Sequence, residues 1–229
     1  MWFYIITNMF VIMIELKEFE IEGVIYKRNR WGGITQINPK PFKYNKEYNS
    51  TYDTEEYKAN SLRLSQIRWE LICKAIEKTP KKVLDFGYGN GAYLDYIADK
   101  TKAFGYDVAT GYNGLGWNRV ESLRASYDVV CFWDSLEHCK NLSFIKHLKT
   151  KYVAISLPHC NAKTVEAFKE WHHRKPDEHI HHFNASALQN LFVEAGYRLV
   201  LFNFAEDEIR KPKEEGKRNI VSAVFKKVV

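Results

Sequence analysis

Val83-Leu84-Asp85-Phe86-Gly87-Tyr88-Gly89-Asn90-Gly91 is an apolar run that ends in an acidic residue and breaks into three alternating glycines. Val83 to Phe86 suit a buried strand. The glycines permit a tight turn and close backbone approach, and Ala92 to Ala98 begin a helix whose N-terminus favours polar or anionic groups. A second candidate strand, Ala103-Phe104-Gly105-Tyr106-Asp107, closes on a carboxylate at the distance where such folds receive ribose hydroxyls. Two strand-end carboxylates and a glycine turn predict one adenosine-sized site.

The glycines alone do not choose the cofactor, because Gly87, Gly89 and Ala92 also fit the dinucleotide fingerprint that accepts Ala in its third place. A pyrophosphate gains nothing from a carboxylate two residues before the first glycine. The ammonium of an amino-acid-bearing cofactor does, so Asp85 favours S-adenosylmethionine over NAD. The motif also starts more than eighty residues in, which leaves too little chain for a second mononucleotide half and a substrate domain.

Asp85 to Gly91 resembles the first motif of class I S-adenosylmethionine-dependent methyltransferases. Tyr127 to His138 (YDVVCFWDSLEH) resembles that family's fourth strand and exit loop, and Tyr152 to Pro158 its fifth strand. Asp177-Glu178-His179-Ile180-His181-His182-Phe183, followed by a helix ending Glu194-Ala195-Gly196-Tyr197, resembles the branch containing small-molecule O-methyltransferases of quinone-biosynthesis type. The likeness covers about residues 60 to 229. It implies an α/β, Rossmann-like sheet of seven strands in the order 3-2-1-4-5-7-6, the last antiparallel, with helices on both faces. It further implies that Asp85, Phe86 and the loop Gly87, Tyr88, Gly89 and Gly91 hold the methionine end of the cofactor. Asp107, with Val108 beside it, would hold the ribose, and Trp133 and Asp134 would line the methyl-donor pocket. One stretch departs from the pattern: where a third strand is due, Val108 to Asn118 carries three glycines and little strand character. Trp117 or Tyr112 could stack on adenine there, or the stretch is an ordinary surface loop.

The 229 residues suffice for one domain with a core. The chain divides near residue 55 into an extension, 1–55, and a cofactor-binding domain, 56–229. The extension offers a short hairpin, Leu16 to Ile21 and Val24 to Lys27 around Glu22-Gly23, and then Tyr44, Tyr48, Tyr52 and Tyr57, either a lid over the cofactor or a cover for the sheet edge. The apolar Met1 to Ile14 is too short to span a membrane and lacks a signal peptide's basic start and cleavage site; it reads as a buried or interface strand, or as an upstream extension with the functional start nearer Met13. Cys73, Cys131, Cys139 and Cys160 form no CxxC pair, which suits reduced thiols in the cytoplasm.

Leu64, Ile67, Leu71, Ile72, Ala75 and Ile76 predict a core-facing helix capped by Asn60 or Ser61. Asn184 or Ser186 can cap a later helix that Gly196 ends, and Tyr197 to Phe204 and Asn219 to Phe225 read as a closing hairpin. Between Pro158 and His182 lie six of the eight histidines. No HExxH or common zinc spacing accompanies them, so metal is not expected and the segment reads as a polar cap on the acceptor pocket. Methyl transfer needs an in-line acceptor, and a base only if the acceptor must lose a proton. His138, His179 and His182 are the candidates. The expected function is methyl transfer to a small-molecule acceptor, on oxygen. A net charge of +6 and pI near 9.0 are a mild bias that does not by itself specify nucleic acid. A nucleic-acid methyltransferase is the runner-up, opposed by an exit sequence, Trp133-Asp134-Ser135-Leu136, that lacks the Asn/Asp-Pro-Pro-aromatic run of enzymes methylating base amines. A non-catalytic cofactor-binding domain is the third reading, opposed by the intact Asp85, glycine loop and Asp107.

Overall fold

Strand β4 (Lys82–Phe86) runs through the middle of a seven-stranded sheet, with β5 (Lys102–Tyr106) and β7 (Tyr127–Trp133) parallel to it on either side. The computed structural model describes residues 18–42, 54–108, 114 and 116–228. Met1 to Ile14, Tyr44, Tyr48, Tyr52 and Tyr112 lie outside them. The remaining strands of this sheet are β6 (Asn118–Arg119), β8 (Thr150–Pro158), β10 (Tyr197–Asn203) and β11 (Ile220–Lys227), in the spatial order β10-β11-β8-β7-β4-β5-β6. Numbered by their own succession these strands stand 6-7-5-4-1-2-3, and β11 is antiparallel to both neighbours. This is the order that the family resemblance implied.

The central strands are buried on both faces, so they read as continuous apolar runs whose alternate residues feed two cores. Leu84, Val130, Phe132, Val153 and Ile155 face α4 (Ala185–Glu194) and two 3₁₀ turns, Leu136–His138 and Ser143–His147. Val83, Val129, Cys131 and Ala154 face α1 (Glu55–Ile76) and α2 (Ala92–Ile97). Helix α1 starts five to six residues before the expected cap at Asn60 or Ser61. Glu55 and Glu56 occupy its first turn, where carboxylates meet the positive end of the helix. Asn184 does cap α4, accepting from Ala187 N at 2.8 Å, and Gly196 follows that helix at φ 86°.

The glycine-rich stretch after β5 leaves the third strand only two residues long. Among the described residues no helix covers either crossover beside it. A second, antiparallel sheet joins β1 (Glu18–Ile21), β2 (Val24–Arg28), β3 (Ile34–Gln36) and β9 (His181–His182). The Glu22-Gly23 turn connects β1 and β2, and β3 pairs Ile34 with His182 and Thr35 with His181. Cys160 N donates to Phe183 O at 2.8 Å just beyond β8, so this small sheet is stitched to the carboxyl end of the large one. Its core is Ile21, Tyr26, Ile34, Cys160 and Phe168, the last on the short helix α3 (Val165–Lys169). Within the histidine segment His159, His179, His181 and His182 are buried, whereas His172 is exposed.

The chain runs outward from β4 to β6 and then returns to β7, so the crevice at the carboxyl ends of β4 and β7 is a topological switch point. One packing test concerns the face opposite α1. Phe192 is fully buried and stacks on Phe225 with ring centroids 4.2 Å apart. Phe192→Ala is expected to lower the unfolding free energy by about 3–5 kcal/mol in urea denaturation, and a loss below about 1 kcal/mol would contradict this packing.

Candidate active site

Three strand exits converge at the switch point, and a glycine lets two of them touch. Gly87 has φ +77°, and a Cβ there would stand 2.6 Å from the Cβ of Ser135 on the β7 exit. Its N–H donates to Tyr106 O at 2.7 Å, and Ser135 Oγ donates to Phe86 O at 2.6 Å. The β4 loop is thus held between the ends of β5 and β7. Gly91, also left-handed at φ 77°, precedes α2 without a side-chain cap.

Asp85 is 2% exposed, and its Oδ1 has no hydrogen-bond partner. Burial pushes its carboxyl up to about 7; the charge of Arg68 opposes this and that of Asp107 adds to it. Asp107 accepts from Gly89 N at 2.9 Å, so the acidic end of β5 braces the glycine loop, while Val108 beside it is exposed. Tyr88 turns inward against Trp117, with ring centroids 5.0 Å apart, and Trp117 Nε1 donates to Asp95 Oδ1 at 2.8 Å. Phe86 packs between Tyr106 and Phe132.

Trp133 is buried beneath the guanidinium of Arg68, 5.1 Å from its ring centroid. Asp134 turns out of the strand at φ 51° into a charge network that sequence reading missed. Arg68 Nη2 and Arg210 Nη1 donate to Asp134 Oδ2 at 2.9 and 2.8 Å. Glu206, fully buried, accepts from Arg68 Nε at 2.8 Å and Arg210 Nη1 at 3.1 Å. Burial alone would raise the Asp134 carboxyl, but Arg210 and Arg68 outweigh it and hold the group down at about 2. The α1 stripe carried a signal: Arg68 lies one helical turn from both Leu64 and Ile72, on the core-facing side. Glu206 and Arg210, in the β10–β11 connection, carried none.

Beyond Asp134 the 3₁₀ turn presents Glu137 and His138. The bond from Ile180 N to Glu137 O, 2.9 Å, lays the histidine segment alongside it. His138 and His179 meet edge to face at 4.8 Å, and the ligand atoms of Glu137, His138 and His179 all lie within 4.8 Å of one another. Neither carboxylate oxygen of Glu137 has a hydrogen-bond partner, and burial pushes its carboxyl far up. His179 Nδ1 sits 2.9 Å from His173 O and must donate to it, which leaves Nε2 as the basic nitrogen. Burial lowers the imidazole of His138, and it lowers that of His179 to about 2. His182, the third candidate base, stands 6.5 Å from His179 in ring centroids and is enclosed by Phe168, Trp171 and Tyr26. The structure therefore brings two of the three histidines together and adds a carboxylate to them.

A glycine loop, two strand-end acids and a switch-point crevice define a nucleotide-type cofactor site on a Rossmann-like sheet. A family described as a methyltransferase domain matches residues 50–201. The chain belongs to this family and is a class I S-adenosylmethionine-dependent methyltransferase, with S-adenosylmethionine as its cofactor. No curated protein matches it in sequence. Among solved structures it is similar to 1,6-didemethyltoxoflavin-N1-methyltransferase of Burkholderia thailandensis, with bound 1,6-didemethyltoxoflavin and S-adenosylhomocysteine, at TM-score 0.53 and 14% identity over 86% of this chain and 96% of that one. Magnesium protoporphyrin IX methyltransferase of Synechocystis, with bound S-adenosylhomocysteine, gives TM-score 0.53 and 11% identity over 82% and 90%. The plantazolicin methyltransferase BpumL gives 0.53 and 14% over 80% and 90%. Among the described residues no helix is long and apolar enough to cross a membrane.

The buried imidazoles set a pH dependence. Burial lowers His182 to about 3 and His173 and His181 to about 4, against an ordinary value near 6.5, so each is neutral in the fold and takes up its proton only on unfolding. Their contribution to stability is present above pH 6.5 and is lost as pH falls toward 3–4. His182→Phe, which keeps an aromatic ring among Phe168, Trp171 and Tyr26, is expected to flatten the fall of Tm between pH 6.5 and 4. An unchanged slope would remove His182 from this account.

Proposed function

We propose that the enzyme transfers the methyl group of S-adenosylmethionine to an oxygen of a small-molecule acceptor, and that the acceptor hydroxyl loses its proton at the Glu137–His138–His179 cluster. The observation that carries this reading is the position of the cluster. It begins two residues after Ser135, the residue that seals the β4 loop, so a base-bearing group lies on the same strand exit that borders the cofactor crevice.

The residues present suit the cofactor. Asp85 offers a buried carboxylate oxygen without a partner, as an α-ammonium requires, and Gly87 leaves backbone where a side chain would strike Ser135. We assign Asp85, Phe86 and the loop Gly87, Tyr88, Gly89 and Gly91 to the methionine end, Asp107 and Val108 to the ribose, and Trp133 and Asp134 to the wall near the methyl group. Arg68 joins them through Trp133 and Asp134. When bound, the cofactor supplies an electrophilic methyl group on a sulfonium. The chain's part is to align the acceptor and remove its proton. His138, with a side chain 16% exposed, is the member of the cluster that reaches solvent, and lowered imidazoles enter the reaction in their neutral form. Residues 1–55 form an extension to the catalytic domain 56–229 in this reading. The free thiols suit a reducing cytoplasm, and the small-molecule acceptors of the similar structures support the substrate class.

His138→Ala is expected to lower kcat on hydroxyl acceptors by about 10²–10⁴-fold with S-adenosylhomocysteine affinity unchanged. An acidic phenol already ionised at the assay pH should recover most of the loss. An equal loss with the ionised acceptor, or methyl transfer confined to nitrogen acceptors, would overturn the assignment.

A further inference from the structure

The Glu137–His138–His179 cluster poses a charge problem that its protein neighbours do not solve. Glu137 is 2% exposed with neither oxygen hydrogen-bonded, and His138 Nε2 stands 3.9 Å from its Oε1. Glu178 Oε1 lies 3.9 Å from His179 Nε2, adding a second acid to the surroundings. Lys175 answers Glu178 at 3.3 Å. An orphaned buried carboxylate facing two Lewis-basic nitrogens is held either by a proton or by a cation among the three atoms.

We propose that Glu137, His138 and His179 bind a divalent transition-metal ion at the acceptor side of the site. The proposal rests on the reading of this cluster as the place where the acceptor loses its proton, and it adds the means. One carboxylate oxygen and two imidazole nitrogens make a donor set that suits Zn²⁺, Co²⁺ or Fe²⁺ better than Mg²⁺ or Ca²⁺, which prefer oxygen ligands. Bonds of about 2.0–2.2 Å require ligand atoms within about 4.2 Å of each other. The Glu137–His138 pair already satisfies this at 3.9 Å, and the widest separation of 4.8 Å closes with a small rotation of the partly exposed His138. His179 is prepared for the role: its Nδ1–H is held by His173 O, whose own ring Nε2 lies 2.8 Å from Asn219 Oδ1. A hydrogen-bonded second nitrogen of this kind fixes the tautomer and orientation of a metal-binding imidazole. Three protein ligands leave coordination positions open. An acceptor hydroxyl that took one would have its acidity raised; its proton would leave to solvent, its oxygen would gain the methyl group, and the sulfonium would become a neutral thioether.

The test uses the full chain, stripped with chelator and titrated with Co²⁺ under visible absorption, with Zn²⁺ binding followed by calorimetry. One equivalent should bind and give a Co²⁺ ligand-field band. Glu137→Gln and His179→Ala should each weaken Co²⁺ binding at least tenfold, while His172→Ala, an exposed histidine outside the cluster, leaves it unchanged. Each variant is also titrated with S-adenosylhomocysteine to show that it is folded. No band in the wild-type protein, or binding that Glu137→Gln leaves intact, would overturn the site. Failure to bind S-adenosylhomocysteine while Co²⁺ binds would instead contradict the methyltransferase reading of the crevice and leave the metal site standing.

Discussion

Asp85 is a carboxylate placed where folding alone gives it no adequate partner. Strand β4 must be buried on both faces to hold the sheet together, and Asp85 is part of that strand, so its side chain is carried out of water with Oδ1 unpaired. Such burial costs free energy that a bound cation recovers. The brace from Asp107 to Gly89 and the Gly87–Ser135 contact fix the glycine loop that follows this carboxyl. In the proposed assignment, stability given up at Asp85 in the ligand-free protein is recovered as affinity for an ammonium-bearing cofactor.

The second organising feature is the network of Arg68, Asp134, Glu206 and Arg210. Two guanidiniums and two carboxylates close among themselves, joining α1, the β7 exit and the β10–β11 connection. Removing one member would leave the others buried and uncompensated, so the network fixes the relative positions of the elements that frame the crevice. It also connects to the histidine cluster. Asn219 Nδ2 donates to Arg210 O at 2.8 Å, and the same side chain meets His173, whose carbonyl orients His179. The Asp134 exit and the Glu137–His138–His179 cluster are therefore positioned by one continuous set of polar contacts.

What was legible in the sequence follows from how local each signal is. The β4 loop declares itself because acid, glycines and helix start lie within ten residues, and the closing hairpin because its strands flank a charged connection. Strand β6 shrank because its stretch offers glycines where β-branched residues would be needed, a departure visible in the sequence. The charge network was not legible: Arg68 and Glu206 are 138 residues apart, and Asp134 and Arg210 are 76. The same holds for the cluster of Glu137, His138 and His179. Glu137-His138 reads as a local pair, and only the long-range bond from Ile180 to Glu137 brings His179 beside it.

The central proposal is that at pH 6 Asp85 is largely protonated in the ligand-free enzyme and ionised opposite the cofactor's ammonium. The direct measurement is the number of protons exchanged when S-adenosylhomocysteine binds at pH 6, obtained by calorimetry in buffers of different ionisation enthalpy for the wild type and Asp85→Asn. With the Asp85 carboxyl pushed up to about 7 before binding, the wild type should release close to one proton and the variant none. Equal proton release by both proteins, or none by either, would contradict the account.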